Sequence, residues 1–108
     1  MTPMASSPAP VLQEKPQTKQ RYSRRWRVIG HNDDVTPMDF VVMILIDIFN
    51  KDPEMAYHLM MEVHETGAST FYVGTREACE LKIELVKDAN QQNGENLSVS
   101  MEPIEDDS

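Results

Sequence analysis

His31-Asn32-Asp33-Asp34-Val35-Thr36-Pro37-Met38-Asp39-Phe40 is the stretch from which the fold of this chain is read. Thr36-Pro37-Met38-Asp39 is a helix start. Thr36 can cap the end, Pro37 suits the first helical position, and Asp39 favours the positive end of the dipole. The helix is expected to run to about Phe49. Before it, Arg24 to Ile29 reads as a strand, with Trp26 and Val28 on one face. Between strand and helix stand Asn32, Asp33 and Asp34, rich in hydrogen-bonding groups, beside a run of large apolar side chains. Groups that can hold a cation thus lie next to groups that can hold an apolar side chain. A free amino group on a bulky apolar residue needs both.

Outward from this stretch, helices and strands follow in short order. Asp52-Pro53-Glu54 starts a second helix by the same logic, and Gly67 closes it as a left-handed cap. Thr70 to Val73 is rich in β-formers. Thr75-Arg76-Glu77 opens a third helix that ends near Asn93-Gly94. Leu97, Val99 and Met101 then alternate with Ser98, Ser100 and Glu102, the pattern of a half-buried strand. The order is β-α-α-β-α-β. It predicts an α+β fold with three helices packed on one face of a small, mostly antiparallel three-stranded sheet.

Length and charge narrow the function. The chain has 108 residues, room for one small domain. Residues 1–20 are rich in Pro, Ser, Gln and Lys and read as a disordered N-terminal extension. Residues 21–104 form the domain, and residues 105–108 an acidic tail. The net charge of −8 argues against nucleic acid and favours cationic partners such as a free amino terminus. The basic cluster of Arg21, Arg24, Arg25 and Arg27 reads as a solvated or edge-strand face. No apolar run approaches the ~20 residues that span a bilayer. The beginning lacks the pattern of a secretory signal. A single cysteine, Cys79, excludes an intrachain disulfide and points to a reducing compartment.

Catalytic signatures are missing. There is no Gly-rich phosphate loop, no nucleophile elbow and no Cys pair. Cys79 falls inside the third helix, where a buried, inert thiol is expected. His31, Asp33, Asp34, Glu62 and His64 could ligate a metal on paper, but their spacing matches no metal motif, so neither metal nor cofactor is expected. A binding role fits better. Met60, Val63 and His64 share one face of the second helix, and Met38 and Val41 lie one turn apart on the first. If the two helices pack as a hairpin, these apolar residues can line a cavity with His64 at its rim. On spacing alone, a Met and Val stripe of this kind is more often ordinary core.

The chain resembles the ClpS family, the bacterial adaptors of the N-end rule. The matching blocks are Asn32-Asp33-Asp34-Val35-Thr36-Pro37-Met38-Asp39-Phe40-Val41, then Leu59-Met60-Met61-Glu62-Val63-His64, then Thr75-Arg76-Glu77 with Lys82, and Met101-Glu102-Pro103. The resemblance implies a cytoplasmic, monomeric, non-enzymatic adaptor. Such adaptors capture proteins beginning with Leu, Phe, Tyr or Trp, called N-degrons. They deliver them to the Clp unfoldase ClpA, or ClpC, for degradation by ClpP. It implies amino-group recognition by Asn32, Asp34 and His64, with Asp33 contacting the nearby peptide. The side-chain pocket would be Thr36, Met38, Val41, Met60, Val63 and Leu97, with Met38 excluding β-branched first residues. Glu77 and Lys82 would contact the unfoldase, and residues 1–20 would serve handover rather than capture. Two departures stand out. Val35 occupies a position where many members have Tyr, and in Phe71-Tyr72-Val73-Gly74 the usual glycine and aromatic have exchanged places. A rival is an interaction module of similar fold, like the C-terminal domain of the ribosomal stalk protein, which lacks an amino-terminus pocket. A second rival is a small metal-dependent enzyme.

Overall fold

The computed structural model describes residues 24–105. The extension expected over residues 1–20 and the acidic end at residues 106–108 lie outside them. Element order is β1 (Trp26–His31), α1 (Met38–Asp47), α2 (Pro53–Thr66), β2 (Ala68–Gly74), α3 (Arg76–Asn93) and β3 (Ser98–Pro103). This is the expected β-α-α-β-α-β order. The sheet is wholly antiparallel, with β1 in the middle of the order β2-β1-β3.

Local chemistry sets most boundaries. The Asp52 carboxylate caps α2 by accepting from the Met55 N–H at 2.8 Å, with Pro53 in the first turn. Thr75 caps α3 by accepting from the Ala78 N–H at 3.0 Å. Gly67 and Gly94 close α2 and α3 with positive φ values of 97° and 67°. Helix α1 differs from expectation at both ends. It stops at Asp47, not Phe49, because Asn50 turns left-handed (φ 60°) and Lys51 N–H reaches back to the Leu45 carbonyl. Thr36 does not cap it. Pro37 occupies the cap position, with no side-chain bond, and its carbonyl accepts from the Phe40 N–H.

β1 runs two residues later than expected, to His31, because pairing with both neighbours continues to Ala68 and Ser98. Arg27 therefore sits on the central strand, not an edge, and donates to Glu102 and Thr70 on the strands either side. The register slips between Val28 and Ile29, so β2 carries one extra residue there. This bulge turns both Phe71 and Tyr72 toward the helices. It accommodates the departing Phe71-Tyr72-Val73-Gly74 order: Phe71 is fully buried and Val73 faces out.

The core lies between sheet and helices. Val28, Ile44, Leu45, Phe71, Cys79 and Val86 are completely buried. Lys82 ties α3 to the end of α1, donating to the Ile48 carbonyl at 2.7 Å with its ammonium over the Tyr72 ring. Among the described residues, no helix is long and apolar enough to cross a membrane.

Candidate functional site

The end of β1, the start of α1, the end of α2 and the start of β3 meet around one cavity of about 210 Å³. A cavity of about 150 Å³ accommodates benzene, so this one has room for a single large side chain and little more.

Its polar side begins where β1 ends. The Asn32 backbone N–H donates to the Gly67 carbonyl at 3.0 Å, which fixes the loop against the end of α2. Asp33 then folds the loop on itself. Its Oδ1 accepts from the Val35 and Thr36 N–H groups at 2.8 and 2.6 Å, and its Oδ2 accepts from the Thr36 hydroxyl at 2.8 Å. This is an Asx turn that closes before α1 begins, so the helix end that Thr36 was expected to cap has no side-chain cap. Partial burial pushes the Asp33 carboxyl up, but those three hydrogen bonds to its charged form prevail and hold it below the ordinary value for an aspartate. The charge is thus present at neutral pH, and its stabilisation of the loop fades only as acid protonates it below the ordinary carboxylate range. Val35, at the tip, is 83% exposed, so its difference from the family's usual Tyr touches no core contact.

Asn32, Asp34 and His64 also line the cavity, and all three are exposed. Among the described residues their side chains make no hydrogen bond to protein. Two potential acceptors and a carboxylate are therefore free to meet a donor-rich ligand. His31 lines the same cavity, with its Nε2 2.7 Å from the Ser100 Oγ.

The apolar side is built from three elements. Val41 of α1, Met60 and Val63 of α2, and Leu97 before β3 are all buried, while Met38 is 43% exposed at the rim. Leu97 is seated by Asn90 of α3. The Asn90 amide oxygen accepts from the Leu97 N–H at 3.0 Å, and its Nδ2 donates to the Leu97 carbonyl at 3.1 Å.

The structure thus gathers Asn32, Asp33, Asp34, Thr36, Met38, Val41, Met60, Val63, His64 and Leu97 around one cavity. Glu77 and Lys82 are not among its lining residues; both lie on α3. Glu77 is exposed in the first turn, whereas Lys82 is engaged at Ile48 and Tyr72. Sequence reasoning missed the parts played by His31, Asn90 and Gly67. His31 adjoins the polar motif and could have been included. Asn90 carries no sequence signal, because its partner is reached only through the turn after α3. Cys79 is buried, and desolvation pushes its thiol up despite a Gly74 backbone hydrogen bond, so it is inert at neutral pH. Among the described residues, no group of three or more His, Cys, Asp or Glu is placed to hold a metal ion.

Known proteins resemble this chain in sequence and in fold. Residues 21–100 match the family described as ATP-dependent Clp protease adaptor protein ClpS. The ClpS of Oleidesulfovibrio alaskensis is 47% identical over 81 residues, covering 75% of this chain and 78% of that protein. The ClpS of Variovorax paradoxus is 37% identical over 109 residues, covering 95% and 91%. The solved structure of Agrobacterium tumefaciens ClpS2 bound to L-phenylalaninamide superposes with a TM-score of 0.72 at 28% identity. It covers 76% of this chain and 99% of that one. Family match, close relatives and shared fold agree, and this chain belongs to the ClpS family, the non-catalytic adaptors of the ATP-dependent Clp protease.

Proposed function

We propose that this protein captures proteins by a bulky hydrophobic first residue (Leu, Phe, Tyr or Trp) and hands them to a Clp unfoldase, ClpA or ClpC, for ClpP. The observation that carries this reading is the two-sided cavity. Unpaired polar groups of Asn32, Asp34 and His64 adjoin an apolar well of Val41, Met60, Val63 and Leu97 sized for one side chain. The related ClpS2 that binds L-phenylalaninamide supports it, because that ligand is a free amino group on an aromatic residue.

Each half answers a physical demand. An ammonium moved out of water without partners costs several kcal/mol. The Asn32 carbonyl and an unprotonated nitrogen of His64 each accept one of its hydrogens, and Asp34 supplies charge directly or through a water. Asp33 acts at the same site by holding the loop, with a remaining lone pair for the nearby peptide. Burying a Leu or Phe side chain adds about 1.5–3 kcal/mol. Charged and polar first residues are rejected because the well offers them no partners.

The testing experiment compares short peptides beginning with Phe and with Ile. Tight binding of the Phe peptide and weak binding of the Ile peptide are expected, since a branch at Cβ presses on Met38 beside the amino-group cluster. Failure of both to bind would overturn the reading. Met38→Ala is expected to narrow the gap by about tenfold, the scale set by one or two methyl groups in a pocket. Unchanged selectivity would make Met38 ordinary packing.

The delivery half rests on the family and on α3, where exposed Glu77 is available for unfoldase contact. Lys82 serves that surface by holding α3 to the end of α1. Residues 1–20 act at handover, on this reading, and the adaptor works as a cytoplasmic monomer. Deleting residues 1–20 is expected to leave peptide affinity unchanged while slowing degradation of an N-degron reporter by the Clp protease. A large loss of peptide affinity would instead make that segment part of the pocket.

A further inference from the structure

The amino-group ligands arrive from two different elements, Asn32 from the exit of β1 and His64 from the last turn of α2. A single turn connects them. Gly67 closes α2 at φ 97° and ψ −18°, and its N–H bonds to the Val63 carbonyl at 2.9 Å. Its own carbonyl accepts the Asn32 N–H at 3.0 Å. His64 lies one helical turn before it and Val63, a wall of the well, just before that. The turn is braced on both sides. The Thr66 hydroxyl lies 2.8 Å from the Glu62 carbonyl and 2.9 Å from that of Ala68, and the Ser69 hydroxyl donates to the Glu62 carboxylate at 2.7 Å.

We infer that Gly67 is a positioning residue for amino-group capture: its left-handed backbone sets the spacing between Asn32 and His64. The inference rests on the amino-terminus reading above. Space is not what requires glycine here, because a Cβ at this position would meet nothing within 4 Å. The backbone is. A side chain with the ordinary handedness disfavours this φ, and relaxing it rotates the carbonyl that holds Asn32. Met38, Val41 and Leu97 are carried by other elements and stay in place, so the loss falls on the amine and not on the side chain.

Three variants test this. Gly67→Ala is disfavoured at positive φ, whereas Asn, the residue next most tolerant of a left-handed backbone, is strained less. Thr75→Ala is the control: it removes the side-chain cap at the start of α3, where the Thr75 hydroxyl accepts from the Ala78 N–H at 3.0 Å, and Thr75 lines no part of the cavity. The readouts are hydrogen exchange of the Asn32 amide and affinity for a peptide beginning with Phe and for its des-amino twin. Gly67→Ala is expected to speed Asn32 exchange and to raise Kd for the amino peptide by about tenfold, one charge-assisted hydrogen bond's worth. The weak binding of the des-amino twin stays as it was. Gly67→Asn falls between the parent and Gly67→Ala, and Thr75→Ala loses thermal stability without losing affinity. The inference is overturned if Gly67→Ala leaves both readouts unchanged, or if Thr75→Ala weakens binding equally. A parent protein that binds neither peptide contradicts the amino-terminus reading instead, while the exchange of Asn32 still judges the role of Gly67.

Discussion

Acetylating the amino terminus of a peptide that begins with Phe is expected to weaken its binding to this protein by at least about a hundredfold. An acetamide has no charge and one N–H, where the ammonium has charge and three. Hydrogen bonds to a charged group contribute roughly 1.5–3 kcal/mol each, so losing two removes about 3–6 kcal/mol. That matches or exceeds the ~1.5–3 kcal/mol from burying the Phe side chain, so the amine and not the ring dominates capture. The acceptors left behind add to the loss. The side chains of Asn32, Asp34 and His64 make no hydrogen bonds to protein among the described residues, and a seated peptide would shut water away from them. Titration calorimetry with the free and acetylated peptides measures it. A loss below about tenfold, the scale of a single such bond, would show that the cavity selects the side chain alone.

Gly30→Ala is expected to destabilise the fold by about 3 kcal/mol or more, the upper end of what overpacking a core costs. A Cβ built on Gly30 falls 2.0, 2.3 and 2.7 Å from Cζ, Cε2 and Cε1 of Phe71. Neither partner can yield easily. Gly30 is in the central strand, paired to Ser69 on one side and Val99 on the other. Phe71 is completely buried and packs edge-on against Phe49, with ring centroids 5.4 Å apart. For a domain of this size the melting temperature should drop by more than about 12 °C, at 4–8 °C per kcal/mol. Phe71→Leu in the Gly30→Ala background should restore part of the loss, because it removes the clashing atoms. A melting temperature within about 2 °C of the parent would mean that strand and ring adjust freely. His31 and Asn32 follow Gly30 directly, so the surviving folded protein should also bind peptide more weakly.

The elements legible in the sequence are those whose signals act over one helical turn or along one strand. Asp52, Thr75, Gly67 and Gly94 bond to, or bend, backbone within a few residues, so their type and position suffice. The alternation from Leu97 to Met101 needs only the two-residue period of a strand. The pocket residues were legible partly through helical spacing, as with Met60, Val63 and His64, and partly through resemblance to the family.

What escaped the sequence depends on the path of a loop or on partners far away in the chain. Asp33 and Thr36 both offer oxygen atoms near a helix start, and only the path of the loop decided that Asp33 folds it. Lys82 reaches Ile48, more than thirty residues earlier, so its engagement could not be read from α3 alone. The bulge in β2 exists because β1 must bury Val28 and still admit Phe71 over Gly30.

By itself the sequence determined the order of elements, the caps of α2 and α3 and the chemical types that meet at the site, since these follow from local propensity and periodicity. Only the tertiary structure decided that β1 is central, that Asn90 seats Leu97, and that the Gly67 turn sets Asn32 against His64. The reason is physical. Each of those contacts joins groups whose separation is set by how helices pack on the sheet, and no one segment carries that distance.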